Sequence, residues 1–201
     1  ASILFGAVAA IGQTNFKRLL AYSSINNVGF ALIGLAAGTA EGVASVMSYL
    51  AIYVVMTLGS FLCVLQMRDA DGNPVEDIAS LAGLSQSRKG LAAAFAIFMF
   101  SLAGIPPLMG FWAKFLVFDA AVAAGLTGLA VFGIAASVIG AFYYLKIIKT
   151  VYFDEPAAGY APAGSRLENA LIAISAAVIV LGYLFNPLLD QASAAAAAAL
   201  H

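Results

Sequence analysis

Residues 103–115 read Ala103-Gly104-Ile105-Pro106-Pro107-Leu108-Met109-Gly110-Phe111-Trp112-Ala113-Lys114-Phe115. They sit inside an apolar run, residues 90–125, that is 36 residues long. As one straight helix this run is about 54 Å long at 1.5 Å rise per residue, against a bilayer core of roughly 30 Å. It must break, reverse or tilt steeply. Pro106 and Pro107 remove two backbone donors, and Gly104 and Gly110 tolerate unusual dihedrals. The direct reading is a discontinuous helix, broken over residues 105–110. Such a break leaves backbone groups unsatisfied, which is tolerated in a membrane only where protein or a water-filled cavity surrounds it. Transporters use breaks of this kind to aim helix ends at ions. A proline kink with a packing role reads the same residues.

The composition puts the break in a membrane. Of 201 residues, 63% are hydrophobic and 9% charged, and mean hydropathy is +1.00. Soluble domains have about 45–50% apolar and about 25% charged residues. A water-facing surface is therefore excluded, and so is disorder. Nine Lys and Arg against ten Asp and Glu leave a net charge of −1, so there is no basic surface for nucleic acid. One cysteine, Cys63, cannot form an internal disulfide, and one histidine, His201, cannot build a zinc site. No ~10-residue alternation of apolar and polar residues marks barrel strands. The fold expected is all-α, a polytopic transmembrane bundle in one domain over residues 1–201. The chain begins Ala1-Ser2-Ile3 inside an apolar run, without Met and with no basic leader, and reads as a fragment.

Polar punctuation marks five to six helices: 1–11, 19–37, 42–67, the broken 90–125, 126–152 and 167–189, with the longest polar segment at 68–89. Orientation follows from the basic residues. If 90–125 crosses once, Lys17, Arg18, Arg68, Arg88, Lys89, Lys146, Lys149 and Arg166 all fall on one side, eight to none. If it crosses twice, the last three change sides. One crossing is the better reading, with these loops cytoplasmic and the C-terminus outside.

The ninth basic residue is Lys114. Counting back from Gly125 places it about 16 Å from the outer face, near the midplane. An intramembrane lysine is expensive and is a functional-site hypothesis by default. Burial disfavours an ammonium, and a helix C-terminal end favours it. The helix ending near Gly104 presents carbonyls, so Lys114 is a candidate to gain and lose a proton. A structural ion pair to another helix is the bland alternative. Asp119, about 9 Å from the outer surface, is a candidate outer exit for protons or a water-exposed interfacial acid. Lys146, after Tyr143-Tyr144-Leu145, is a candidate cytoplasmic-side relay, and so is Lys17; snorkelling anchors explain both equally simply. Glu41 reads as a surface residue beside a helix N-terminus. Ser23, Ser24, Asn26, Asn27, Ser45, Ser48, Tyr49, Tyr53, Thr57 and Ser60 lie within helices, where they pack, hydrogen-bond or hold water chains. The poly-Ala stretch 194–199 carries no nameable chemistry.

Two of these stretches carry a resemblance. Gln13-Thr14-Asn15-Phe16-Lys17-Arg18-Leu19-Leu20-Ala21-Tyr22-Ser23-Ser24 resembles a segment shared by the antiporter-like subunits of respiratory complex I and by Mrp-type antiporters. Ser101-Leu102-Ala103-Gly104-Ile105-Pro106-Pro107, followed by Gly110-Phe111-Trp112-Ala113-Lys114-Phe115, resembles that family's broken helix with its lysine. The resemblance covers essentially all 201 residues and matches the C-terminal portion of such a subunit. The Met56-Thr57-Leu58-Gly59-Ser60-Phe61 run and Ala113-Lys114-Phe115 are most similar to the subunit N branch in bacterial NADH-quinone oxidoreductases. Tyr53 stands about where larger siblings carry a lysine. Some relatives have histidine where this chain has Asn27, and Asp119 is not part of the family motif.

The resemblance implies a proton-translocating membrane-arm subunit of NADH:quinone oxidoreductase. Redox chemistry elsewhere would drive protonation changes along buried lysines. Lys114 would serve the outward-connecting half-channel, with Lys17 and Lys146 as cytoplasmic feeders. The chain itself would hold no cofactor and no metal; NADH, FMN, iron–sulfur clusters and quinone would belong to partner subunits. Partners implied are the other membrane-arm subunits, the lipid bilayer and the missing N-terminal half of the same subunit. The location implied is the bacterial inner membrane, with the C-terminus periplasmic. Two other readings stay open: an Mrp-type cation/proton antiporter subunit, and a non-pumping scaffold of the membrane arm.

Overall fold

The computed structural model describes residues 1–69, 71–156 and 164–199, and His201 lies outside them. The described residues form nine α-helices and no strand: α1 (Ser2–Ile11), α2 (Phe16–Ala36), α3 (Ala40–Leu65), α4 (Leu84–Ser87), α5 (Lys89–Ala103), α6 (Met109–Ala123), α7 (Thr127–Phe153), α8 (Arg166–Leu181) and α9 (Asn186–Ala198). Local chemistry starts several of them. The Asn15 side chain accepts the Arg18 N–H at 3.0 Å and caps α2. Thr39 does the same for α3 through Gly42. Ser165 and Glu168 form a capping box at α8, each satisfying a backbone donor that the first turn leaves without a partner.

Four segments are long and apolar enough to cross a bilayer: α2, α3, α7 and the 33-residue stretch Arg166–Ala198. Helices α5 and α6, with 15 residues each, reach only about 22 Å apiece. In series they cross once. The start of α5 lies at the end of α3, because Arg88 donates to the Gln66 carbonyl and to Gln66 Oε1, both at 2.8 Å. The end of α6 lies at the start of α3, because Asp119, Ala120 and Ala123 share a cleft with Ala40 and Glu41. The remaining basic ends gather at the Gln66 end. Gly83 N–H donates to the Thr150 carbonyl near the end of α7. Gln66 donates to Asn169 at the start of α8. Lys17 reaches Glu76 in the connecting segment. A single crossing of 90–125 and a common end for the eight basic residues are thus features of the fold.

The last span departs from the expectation of 167–189. It continues to Ala198, and a 3-10 turn, Gly182–Phe185, interrupts it before α9 restarts at Asn186-Pro187. Thirty-three residues in a straight helix would be about 50 Å long, so this span has the same length problem as 90–125 and also resolves it by interruption. The Gly182 and Asn186-Pro187 signals are visible in the sequence, but the poly-Ala tail masks the true length. That tail packs: Ser193 lies 2.6 Å from Ser48 on α3, and Ala197 is buried.

In lipid, hydrocarbon does not drive helices together, so close approach of small residues holds them. A Cβ on Gly59 would lie 2.2 Å from Phe98 Cζ, which puts α3 and α5 in direct contact there. The opposite faces are apolar and exposed, as at Val54 on α3 and Val138 on α7, and suit acyl chains. We expect Gly59→Val to destabilise the bundle by about 1–3 kcal/mol, read as a lower thermal unfolding midpoint in detergent. Gly128→Ala, at a position with open space around it, should leave the midpoint unchanged.

Candidate functional site

The break is built by packing the start of α6 against the last turn of α5. Gly104 ends α5 in the left-handed region, at φ +86°, and its N–H bonds back to the Phe100 and Ser101 carbonyls. Only glycine adopts this conformation without strain. A Cβ here would also stand 3.1 Å from Lys114 Nζ. Pro106 and Pro107 follow, joined by a cis peptide bond. At Gly110 a Cβ would be 1.9 Å from the Ser101 carbonyl oxygen. Gly110 N–H donates to Ser101 Oγ at 3.0 Å, and that hydroxyl donates to Met56 Sδ on α3. The two glycines thus let the half-helices overlap side by side.

The overlap brings Lys114 back over the stub it follows. Its Nζ donates to the carbonyls of Leu102 and Ala103, at 3.0 and 3.1 Å. Those carbonyls lack helical partners because α5 ends there. The Phe30 ring of α2 lies 5.0 Å from Nζ, a cation–π contact. Lys114 is 7% exposed, and no carboxylate lies within ion-pair distance of it among the described residues. An ammonium carries three N–H groups, and these two carbonyls accept two of them. Hydrocarbon burial opposes the charge, while the carbonyls and the ring support it. The second interruption abuts the first: Tyr183 OH donates to the Leu108 carbonyl at 3.2 Å, its ring meets Trp112 edge to face, and Met109 fills the space beside Gly182.

A buried network of hydroxyls and amides lies toward the Gln66 end from Lys114. Asn27, one turn below Phe30, accepts from Tyr49 OH at 2.7 Å and donates to Tyr144 OH at 3.2 Å. Tyr144 OH and Ser23 Oγ are 2.6 Å apart, and either can donate. Tyr53 donates to Ser24. The α2 and α3 members are polar residues that the sequence marks, whereas Tyr144, which joins them from α7, and Tyr143, buried beside it, are an adjacent pair of aromatics in an apolar helix with no pattern that marks them as buried.

The other candidates stand apart from Lys114. Lys17 Nζ donates to Glu76 Oε1 at 2.6 Å on the surface, and Asn15 donates to the other oxygen. Lys146 is exposed on α7, with no hydrogen-bond partner among the described residues. Asp119 is exposed and lines a cleft of about 330 Å³ with Glu41 and Asp190, below which lie Ser45, Ser48 and Ser193. Glu41, exposed in the first turn of α3, also lines this cleft. Among the described residues no group of three His, Cys, Asp or Glu could hold a metal ion.

Comparison with known proteins agrees with this architecture. Residues 1–140 match the family described as NADH:quinone oxidoreductase/Mrp antiporter, TM. Over its whole length the chain is 73% identical to NADH-quinone oxidoreductase subunit N of Rhizorhabdus wittichii, and it spans 42% of that protein. Over 98% of its length it is 52% identical to NADH-quinone oxidoreductase subunit N 1 of Rhizobium meliloti, spanning 41% of it. A chain of respiratory complex I from Thermus thermophilus superposes with TM-score 0.82 at 32% identity, covering 94% of this chain and 43% of that one. A chain of the Mrp complex from Dietzia sp. superposes with TM-score 0.77 at 25% identity, covering 98% and 45%.

The Lys17–Glu76 pair has a pH signature. The hydrogen bond from Lys17, with a second from Asn15, holds the Glu76 carboxyl below its ordinary value. A depressed carboxylate contributes stability above the unfolded value, about 4.3, and loses it as pH falls through the lower folded value. Amide exchange across residues 71–80 should therefore accelerate on acidification, and Glu76→Gln should remove that pH dependence.

Proposed function

The chain belongs to the NADH:quinone oxidoreductase/Mrp antiporter membrane family, and we propose that it works as a proton-translocating part of a NADH-quinone oxidoreductase membrane arm, in the place of subunit N. The observation that carries this reading is the buried Lys114 amine, held by two freed carbonyls and an aromatic face with no carboxylate to pin it. A structural ion pair would have an acid partner. This site instead offers backbone carbonyls and an aromatic face, with no acid beside the amine among the described residues.

In this reading Lys114 takes up a proton from the side of the hydroxyl network and gives it up toward the outer end. When charged, Nζ donates to the Leu102 and Ala103 carbonyls beside the Phe30 ring. When neutral, it loses the cation–π contact and frees its lone pair for the next proton. Redox events in partner subunits, which hold NADH, flavin, iron–sulfur clusters and quinone, would shift the balance between the two forms. In this reading Asp119, which shares a cleft with Glu41 and Asp190, is the outer exit. Lys17 and Lys146 stand at the basic end as collectors. We assign that end to the cytoplasm by the excess of Lys and Arg, the membrane to the bacterial inner membrane, and the partners to the other membrane-arm subunits and the rest of subunit N. An Mrp-type antiporter shares the fold, but the identities to subunit N relatives, 73% and 52%, exceed the 25% to the Mrp chain.

Lys114→Met keeps the length and apolar character of the side chain and removes the titratable group. In inverted membrane vesicles we expect NADH-driven proton uptake to be lost and quinone reduction to slow, with assembly intact. Wild-type uptake per NADH oxidised in that variant would overturn the role of Lys114.

A further inference from the structure

Tyr183 is a phenol near the middle of the last span, 17 residues after Arg166 and 15 before Ala198. Its neighbours in sequence, Ile179-Val180-Leu181 and Leu184-Phe185, are apolar. At that depth bulk water does not reach the hydroxyl, so its acceptor must come from protein. It comes from another helix. The O–H donates to the Leu108 carbonyl at 3.2 Å. That carbonyl already accepts the Phe111 N–H at 3.0 Å, in the turn that opens α6, and Tyr183 takes its second lone pair.

Two more contacts fall on the same turn. The Trp112 and Tyr183 rings meet edge to face, with centroids 6.0 Å apart. Met109 lies so close to Gly182 that a Cβ there would stand 2.5 Å from Met109 Cγ. Leu108 is the N-cap of α6, and Met109 and Trp112 belong to its first turn. On its other side this turn is held by Ser101, through the Gly110 N–H. The start of α6 is thus clamped between the last turn of α5 and the 3-10 turn of the last span. Lys114 follows Trp112 by two residues and reaches back to the Leu102 and Ala103 carbonyls at 3.0 and 3.1 Å. A slip of α6 by about 1.5 Å, the rise of one residue, would carry contacts of this length out of hydrogen-bonding range.

We propose that Tyr183 is a positioning residue for Lys114: its hydroxyl pins the N-cap of α6 and so fixes the reach from the lysine to the α5 carbonyls. This role rests on the proton-translocating reading above. Tyr183 carries no proton in it, and none of the described hydrogen bonds joins it to Lys114. The hydroxyl acts through the backbone of α6. The last span, which gives Lys114 no acceptor of its own, thereby takes part in holding it.

Three replacements separate the donor from the ring. Tyr183→Phe keeps the ring and removes the hydroxyl. O-methyltyrosine, inserted at an amber codon, keeps the oxygen and removes the donor. Para-aminophenylalanine, inserted the same way, puts an N–H donor in the same place. The readout is NADH-driven proton uptake in inverted vesicles, per assembled oxidoreductase. We expect uptake per complex to fall about fivefold in Tyr183→Phe, the fold-change that corresponds to a neutral hydrogen bond of ~1 kcal/mol. It should stay low with O-methyltyrosine and return toward wild type with para-aminophenylalanine, with the amount of assembled complex unchanged throughout. Wild-type uptake in Tyr183→Phe, alongside a Lys114→Met variant that has lost uptake, overturns the positioning role and leaves the Lys114 reading standing. Retained uptake in Lys114→Met overturns that reading and this role with it. A fall in the amount of complex with uptake per complex unchanged marks a purely structural tyrosine and overturns the role. So does a loss that para-aminophenylalanine fails to reverse.

Discussion

A cation in hydrocarbon must find acceptors, and here they come from the backbone of an ended helix. The contact of Lys114 Nζ with the Leu102 and Ala103 carbonyls requires α5 to stop at Gly104, α6 to begin beside it, and the lysine to point back toward its own N-terminus, the direction helical side chains favour. Gly104 and Gly110 make the overlap sterically feasible. Ser101 ties the two half-helices to each other and to α3. Phe30 brings α2 to the same point. The surrounding helices are arranged around this one charge.

The second interruption supports the first. Tyr183 sits in the 3-10 turn between α8 and α9 and donates to the Leu108 carbonyl at the start of α6. Met109 lies against Gly182. Irregular backbone at membrane depth persists only when other protein groups surround it, and each irregular stretch here lies against the other. The long segments 90–125 and 166–198 exceed the bilayer core by similar amounts, and their breaks meet at the same level.

Much of this was legible in the residues. Composition set the class, the double proline and flanking glycines located the break, and the one-sided basic residues set a single crossing. The lone lysine beside the break stood out because every other Lys and Arg lies nearer the end of its apolar run or outside one. What stayed hidden is tertiary. Tyr143 and Tyr144 look like any aromatic pair in an apolar helix until α2 and α3 are packed against them. Glu76 as the partner of Lys17 depends on a 59-residue separation closed by the connecting segment. The end of the last span was misjudged because alanine fits both a buried helix and a tail. Asp119 and Asp190 are 71 positions apart in sequence and share one cleft with Glu41.

The depth of Lys114 has an electrical meaning. The whole of α5 lies between it and the basic end, and the last nine residues of α6, four of which line the acidic cleft, lead from it to the other end. A unit charge carried across a full 100 mV does about 2.3 kcal/mol of work. Under the proposed role, a proton that stops on Lys114 would meet the voltage in two instalments. Neither loading nor release would then have to oppose the full membrane potential.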